Sequence, residues 1–207
     1  MSINYYEIED VLKTGDLIFF SGRGIIPSCI RFFTGCDYSH VGMVLELELH
    51  GKRVLVIFEA SGCSYIIDYR SANFKSGVTL INLTTKLHTY TGTFGVKRLN
   101  KRLTEDHKAK LYTVINKLRD TDYTKNLYAL LVSVFKLKPV NSGMYTMVCS
   151  ELIAVILQRL NLLDNEIPAE WYNPYELTLI TKMQEGYEYG EIEPISLYPN
   201  VEVLKIL

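Results

Sequence analysis

Residues 39–60 read SHVGMVLELELHGKRVLVIFEA, two apolar and β-branched runs broken by His50 and Gly51. Such runs on either side of a two-residue turn are the signature of a β-hairpin. With His50 and Gly51 as the turn, Met43 faces Phe58, Leu45 faces Val56 and Leu47 faces Val54, so one face is wholly apolar. The other face sets Glu48 against Arg53, Glu46 against Leu55, Val44 against Ile57 and Gly42 against Glu59. A slip of one residue would lay the apolar face of one strand over the polar face of the other, so the pleat selects this register.

The register aims two titratable side chains at each other. His40 shares a face with Gly42 and is therefore diagonal to Glu59, with β-carbons about 7 Å apart. An imidazole and a carboxylate close such a gap with a hydrogen bond, and Gly42 puts no side chain between them. A carboxylate so placed fixes the imidazole tautomer and stabilises its cation. This is a base with its orienter but without a nucleophile, and a strand-end His or Glu taken singly is more often a solvated surface group.

Outward from the hairpin, GDLIFF (15–20), GVTLINL (77–83) and TFGVKRL (93–99) also read as strands, and Pro27 suits the first turn of a short helix within 22–35. The texture changes near residue 100. TEDHKAKLYTVINKLRD (104–120) places Leu111, Val114, Ile115 and Leu118 at helical spacing, with Thr104 as N-cap and acids in the first turn. A second helix is expected over much of 124–137. A third, from about 149 to 162, is apolar on most of its circumference and hence central. Strands followed by helices predict an α+β fold, a mainly antiparallel sheet with helices packed on one side. A chain of 207 residues suits a single domain, 1–207, with a strand module (about 15–99), a helical part (about 104–163) and a C-terminal extension (164–207). The extension is expected to add a short helix after Pro174 and strands or loops near the site.

The third helix begins at Cys149. A thiol reacts as thiolate, and a helix N-terminus favours the anion through its dipole and unpaired N–H groups. A neighbouring imidazolium lowers the thiol pKa further, and the same N–H groups are placed to bind a developing oxyanion. The competing reading is a small buried hydrophobe, the commonest fate of a free cysteine. Cys29, Cys36 and His40 do not match the spacing of a compact zinc site, and Cys63 has no base near it in sequence. His50 in a turn, His88 in a polar loop and His107 in the first turn of a charged helix read as surface residues.

A net charge of −1 with 22% charged residues gives no field to gather nucleic acid, so no nucleic-acid partner is expected. The N-terminal segment lacks the pattern of a secretory signal. The stretches YALLVSVF and LIAVIL fall short of the roughly 18 residues that span a bilayer, so no transmembrane segment is expected. The cytoplasm or a similarly reducing compartment follows as the default, with the four cysteines as thiols.

TGDLIFF, DYSHVGMVLE, FEASG and VCSELIAVILQ, in that order, resemble the circularly permuted branch of the NlpC-type papain-like cysteine hydrolases. This is the YiiX-like group, to which the lecithin retinol acyltransferase-like enzymes are related. In unpermuted relatives the nucleophile helix precedes the GDL and HVG strands, whereas here it follows them. The resemblance runs with gaps from Gly15 to Leu162 and implies a papain-like α+β fold whose sheet forms a half-barrel. It implies Cys149 as nucleophile, His40 as general base and then acid, and Glu59 as the group that orients His40. Family members also carry a tyrosine upstream of the cysteine that helps form the oxyanion site. Tyr123 is the candidate, although residues near 127–140 look inserted between it and Cys149; Tyr38 and Tyr145 are alternatives. Asp16 of the GDL motif matches too, with a turn role expected.

The implied activity is thiol-dependent hydrolysis of an amide or ester bond through a thioacyl enzyme, with no metal or organic cofactor. The partner is then a small-molecule, peptide or lipid-derived amide or ester. Ile25, Ile26, Phe32, Phe33 and Trp171 are candidates for an acyl-chain pocket or simply for core. One alternative is a lipid acyltransferase or phospholipase, but those relatives show an NCEHF-like stretch where this chain reads VCSELI. The other is a non-catalytic binding module on the same fold.

Overall fold

A computed structural model describes residues 2–62, 67–68, 71–118, 122–123 and 146–198. Their strands are β1 (Ile3–Asn4), β2 (Leu17–Gly22), β3 (His40–Leu49), β4 (Lys52–Ser61), β5 (Gly77–Asn82), β6 (Gly92–Leu99), β7 (Asp122–Tyr123), β8 (Thr146–Met147) and β9 (Tyr189–Ser196). Their helices are α1 (Tyr5–Ile8), α2 (Ile25–Thr34), α3 (Leu83–Thr89), α4 (Glu105–Leu118), α5 (Cys149–Arg159) and α6 (Pro174–Leu179), besides short 3-10 turns. Seven strands form one sheet in the order β1-β9-β6-β2-β3-β4-β5, antiparallel except for the β1–β9 pair. The fold is α+β, as the segment order predicts.

The hairpin forms in the expected register, from Met43 opposite Phe58 to Leu49 opposite Lys52. His50 and Gly51 both have positive φ, 50° and 73°, the requirement of a two-residue turn whose twist matches that of its strands. Alternate residues then divide the core in two. Leu17, Phe19, Val41, Met43, Val56 and Phe58 pack with α4, α5 and α6. On the opposite face Ile18, Phe20, Val44 and Ile57 lie with residues of α1 and α3. The longer helices α4 and α5 thus share one side, and two short helices cover the other.

Local chemistry sets several boundaries. Thr104 caps α4, its hydroxyl accepting the His107 N–H at 3.2 Å. Helix α5 stops at Arg159, before the apolar run ends, because Asn161 turns left-handed (φ 57°) and Leu162 donates back to the Leu157 carbonyl at 2.9 Å. Asp16 is fully buried and accepts the Lys13 and Leu99 N–H groups at 2.9 and 2.8 Å, fastening β2 to the end of β6. Its role is the turn role expected of the GDL motif.

Two expectations need correction. His107 is buried at 2% exposure, with Thr104 and Tyr187 at Nδ1 and the Tyr187 ring edge-on at 5.3 Å. His88 is exposed but sits in α3, which the polar look of LTTKLHT concealed. The C-terminal extension supplies α6 after Pro174 and sets Glu170 close to Glu151 in the first turn of α5, while its strand β9 joins β6, with β6 and β2 between it and His40. The helix expected over 124–137 and the thiol of Cys63 lie outside the described residues.

Gly42 is the point where the hairpin has no room. A Cβ there would stand 2.6 Å from the Ile57 side chain and 3.2 Å from the Glu59 Cβ, so the space above it is filled rather than open. Gly42→Ala is expected to lower stability by about 1–3 kcal/mol, read as a lower urea midpoint with unchanged slope.

Candidate functional site

The pleat places His40 and Glu59 on the face shared with α3, while α5 packs on the other face. His40 is the first residue of β3, so its ring is free to meet the start of α5 at the end of the strand. The Cys149 sulfur lies near enough to His40 and to the backbone N–H groups of Val41 and Ser150 for all three to act on its ionisation. His40 Nε2 is 2.9 Å from Glu59 Oε2, which leaves Nδ1 for the sulfur. The three side chains that the sequence singles out are therefore brought together.

A fourth, which it does not single out, completes the cluster. Lys86 of α3 donates from Nζ to Glu59 Oε1 at 2.5 Å, with the rings of Phe20 and Tyr90 at 5.5 and 5.9 Å from its ammonium. The signal was present: Leu83, Lys86 and Leu87 occupy the i, i+3, i+4 stripe of α3 that faces the core, and lysine is the odd member. Lys86 is 3% exposed, Cys149 6% and Glu59 0%, whereas the His40 side chain keeps 17%. Solvent reaches the cluster mainly through the imidazole.

The charges support one another against burial. Burial opposes ionisation of Glu59, but Lys86 and then His40 outweigh it and hold the carboxyl down at about 2. Burial pushes His40 down, but the Cys149 sulfur and then Glu59 raise it to about 10. Burial pushes Cys149 up, yet the imidazolium and the two backbone N–H groups bring its pKa below the ordinary 9.0. Cys36 is the contrast: also little exposed, its thiol is raised by burial, with the Tyr38 N–H working against that and Asp37 adding to it.

Val148, the N-cap of α5, has no side-chain oxygen to offer the first-turn N–H groups beside the sulfur. Glu151 in that turn folds back to the Val148 N–H at 3.3 Å, and burial, with Glu170 nearby, pushes its carboxyl up to about 7.

The parallel pairing of β7 and β8 sets the backbone of Tyr123 opposite Met147, two residues before Cys149. Tyr145 lies outside the described residues. Tyr38 packs its ring 5.6 Å from that of Phe19, and a Cβ on Gly95 of β6 would stand 2.8 Å from its hydroxyl. Phe32 and Phe33 of α2 are exposed at 81% and 51%, so neither belongs to the core. Cys29 is exposed and Cys36 buried. Among the described residues no three His, Cys, Asp or Glu side chains converge to hold a metal ion. None of the helices described there is long and apolar enough to cross a membrane.

No family model matches the chain. An uncharacterized protein of Acanthamoeba polyphaga mimivirus is 24% identical over 197 residues, covering 83% of this chain and 76% of that one. The crystal structure of YiiX from Escherichia coli O157:H7, described as a metalloprotein, superposes with a TM-score of 0.50 at 21% identity. The match covers 72% of this chain and 66% of YiiX. The chain has a YiiX-like fold. The residues present here do not fit a metal at the cluster, because His40 and Lys86 already occupy the two oxygens of Glu59.

These shifts fix a pH profile. Glu59 is held below its ordinary 4.5, so its contribution to stability is present above 4.5 and is lost as pH falls toward about 2. The contribution of His40 is present below 6.5 and is lost as pH rises toward 10, whereas that of Cys149 is present above 9.0 and is lost on acidification. Urea midpoints are expected to fall on acidification below pH 4.5, with the gap between wild type and Glu59→Gln narrowing over the same interval.

Proposed function

We propose that the protein is a thiol-dependent hydrolase of an amide or ester bond, with Cys149 as nucleophile, His40 as base and acid, and Glu59 as the group that orients His40. The observation that carries this reading is the juxtaposition of a buried sulfur at a helix start with an imidazole held at Nε2 by a buried carboxylate. The papain-like relationship and its permuted order, with the nucleophile helix after the strands, belong to the same proposal. The shared fold with YiiX is in keeping with it.

In the resting pair the proton sits on His40 and the charge on sulfur. The thiolate electron pair forms the carbon–sulfur bond as the carbonyl electrons move onto oxygen, where first-turn N–H groups of α5 are placed to receive the charge. As the tetrahedral species collapses, His40 gives its proton to the leaving amine or alcohol and the thioacyl enzyme remains. Neutral His40 then takes a proton from water, hydroxide adds to the thioester, and the sulfur departs as thiolate with the imidazolium restored. Glu59 keeps the imidazole in one orientation and stays ionised throughout. The Tyr123 side chain is proposed as a further oxyanion donor, its backbone lying beside Met147.

The test is the rate of iodoacetamide alkylation of the Cys149 peptide, followed by mass spectrometry as a function of pH. Fast labelling that persists well below the free-thiol value of about 8.5 is expected, with at least a tenfold loss at pH 6 in His40→Ala. Incubation with activated amides and esters should leave an acyl adduct on Cys149 that decays in wild type. An ordinary thiol profile, indifferent to His40, would overturn the reading.

A further inference from the structure

Lys86 is a costly residue to bury, and its surroundings give it one strong partner. Its ammonium is 2.5 Å from Glu59 Oε1, and two aromatic rings flank it. Glu59 divides its oxygens between Lys86 and His40, and His40 in turn lies beside Cys149 and acts on its charge. The four groups make a linear chain: sulfur, imidazole, carboxylate, ammonium. Their elements differ, α5, β3, β4 and α3, so the chain passes from one face of the sheet to the other.

Counting charge along this chain shows what Lys86 does. With thiolate, imidazolium, carboxylate and ammonium, the cluster is neutral. Without the ammonium, the same thiolate state carries a net negative charge in a buried site, while the state with a thiol is neutral. Low-dielectric surroundings favour the neutral arrangement. Glu151, the carboxyl in the first turn of α5, carries no countercharge for the sulfur, and Glu170 beside it adds the same sign.

We propose that Lys86 is a positioning residue that acts through Glu59 as the fourth charge of the site and keeps the Cys149 sulfur a thiolate. This rests on the hydrolase reading above and adds to it a countercharge from the far face of the sheet. A purely structural lysine would affect stability alone. A balancing charge also sets the pH at which the sulfur becomes reactive.

The experiment compares the pH profile of Cys149 alkylation by iodoacetamide in wild type, Lys86→Met, Lys86→Arg and the double variant Glu59→Gln/Lys86→Met. In Lys86→Met the rise of reactivity is expected about one pH unit or more higher than in wild type. Lys86→Arg, which keeps the charge, should retain the wild-type position. The double variant removes carboxylate and ammonium together, restores neutrality to the thiolate state and is expected to return the profile toward wild type. It also keeps the test decisive where the single variant fails to fold, because it leaves no unpaired buried charge. Profiles of Lys86→Met or of the double variant that contradict this pattern, a wild-type midpoint in the former or a further upward shift in the latter, would overturn the inference. A wild-type protein with an ordinary thiol profile would instead remove the hydrolase reading itself.

Discussion

Two residues with positive φ, His50 and Gly51, turn the chain between β3 and β4, and the register they impose carries along the hairpin to Glu59. Because side chains alternate across a pleat, that register decides which residues go to which core. Val41 and Met43 go to the face that receives α5, and His40 and Glu59 go to the face that receives α3. The glycine at 42 allows Ile57 and Glu59 to approach the β3 backbone closely. A hairpin shifted by one residue would put the imidazole and the carboxylate on opposite faces of the sheet.

Burial does not distinguish the two buried thiols, since Cys36 and Cys149 are 8% and 6% exposed. Their neighbours do. Cys36 accepts one backbone N–H, from Tyr38 at 3.4 Å, and burial keeps it protonated. Cys149 has an imidazole, two N–H groups and the start of a helix whose N-cap is a valine. The valine matters because serine or aspartate at that position would direct an oxygen at the N–H groups now free to stabilise negative charge beside the sulfur.

The hairpin register, the helix at Cys149 and the proximity of His40 to Glu59 were legible because each follows from a short period or from one turn. Local alternation fixes a face whatever the rest of the chain does. Lys86 was not legible in the same way, because its partner is 27 residues distant and the contact exists only once α3 has docked on the sheet. The helix that carries it was itself hidden: LTTKLHT has few strong helix formers, and it forms where Asn82 caps it and Leu83 and Leu87 find an apolar face. His107 misled for a related reason, since a charged helix contributes one face to the core and this histidine lies on it against Tyr187. The position of β9 depends on strand pairing at the sheet edge, which no local pattern encodes.

Four ionisable groups in one buried chain are a poor way to gain stability. Removing charges from water costs more than an ion pair commonly returns, and well-packed apolar side chains of similar volume do as well or better in that role. Asp16 shows what a structural carboxylate in this fold looks like: it accepts two backbone N–H groups, and burial raises its pKa because these and the Lys13 ammonium at 3.5 Å do not offset it. Glu59 is arranged differently. Both oxygens go to side chains that carry positive charge, and its pKa is lowered at a site just as deeply buried. A carboxylate whose ionisation is protected on both sides, linked through an imidazole to a sulfur with a lowered pKa, is organised for holding charge rather than for holding the chain together. That difference between two fully buried acids of one sheet is the physical ground for reading the cluster as chemistry.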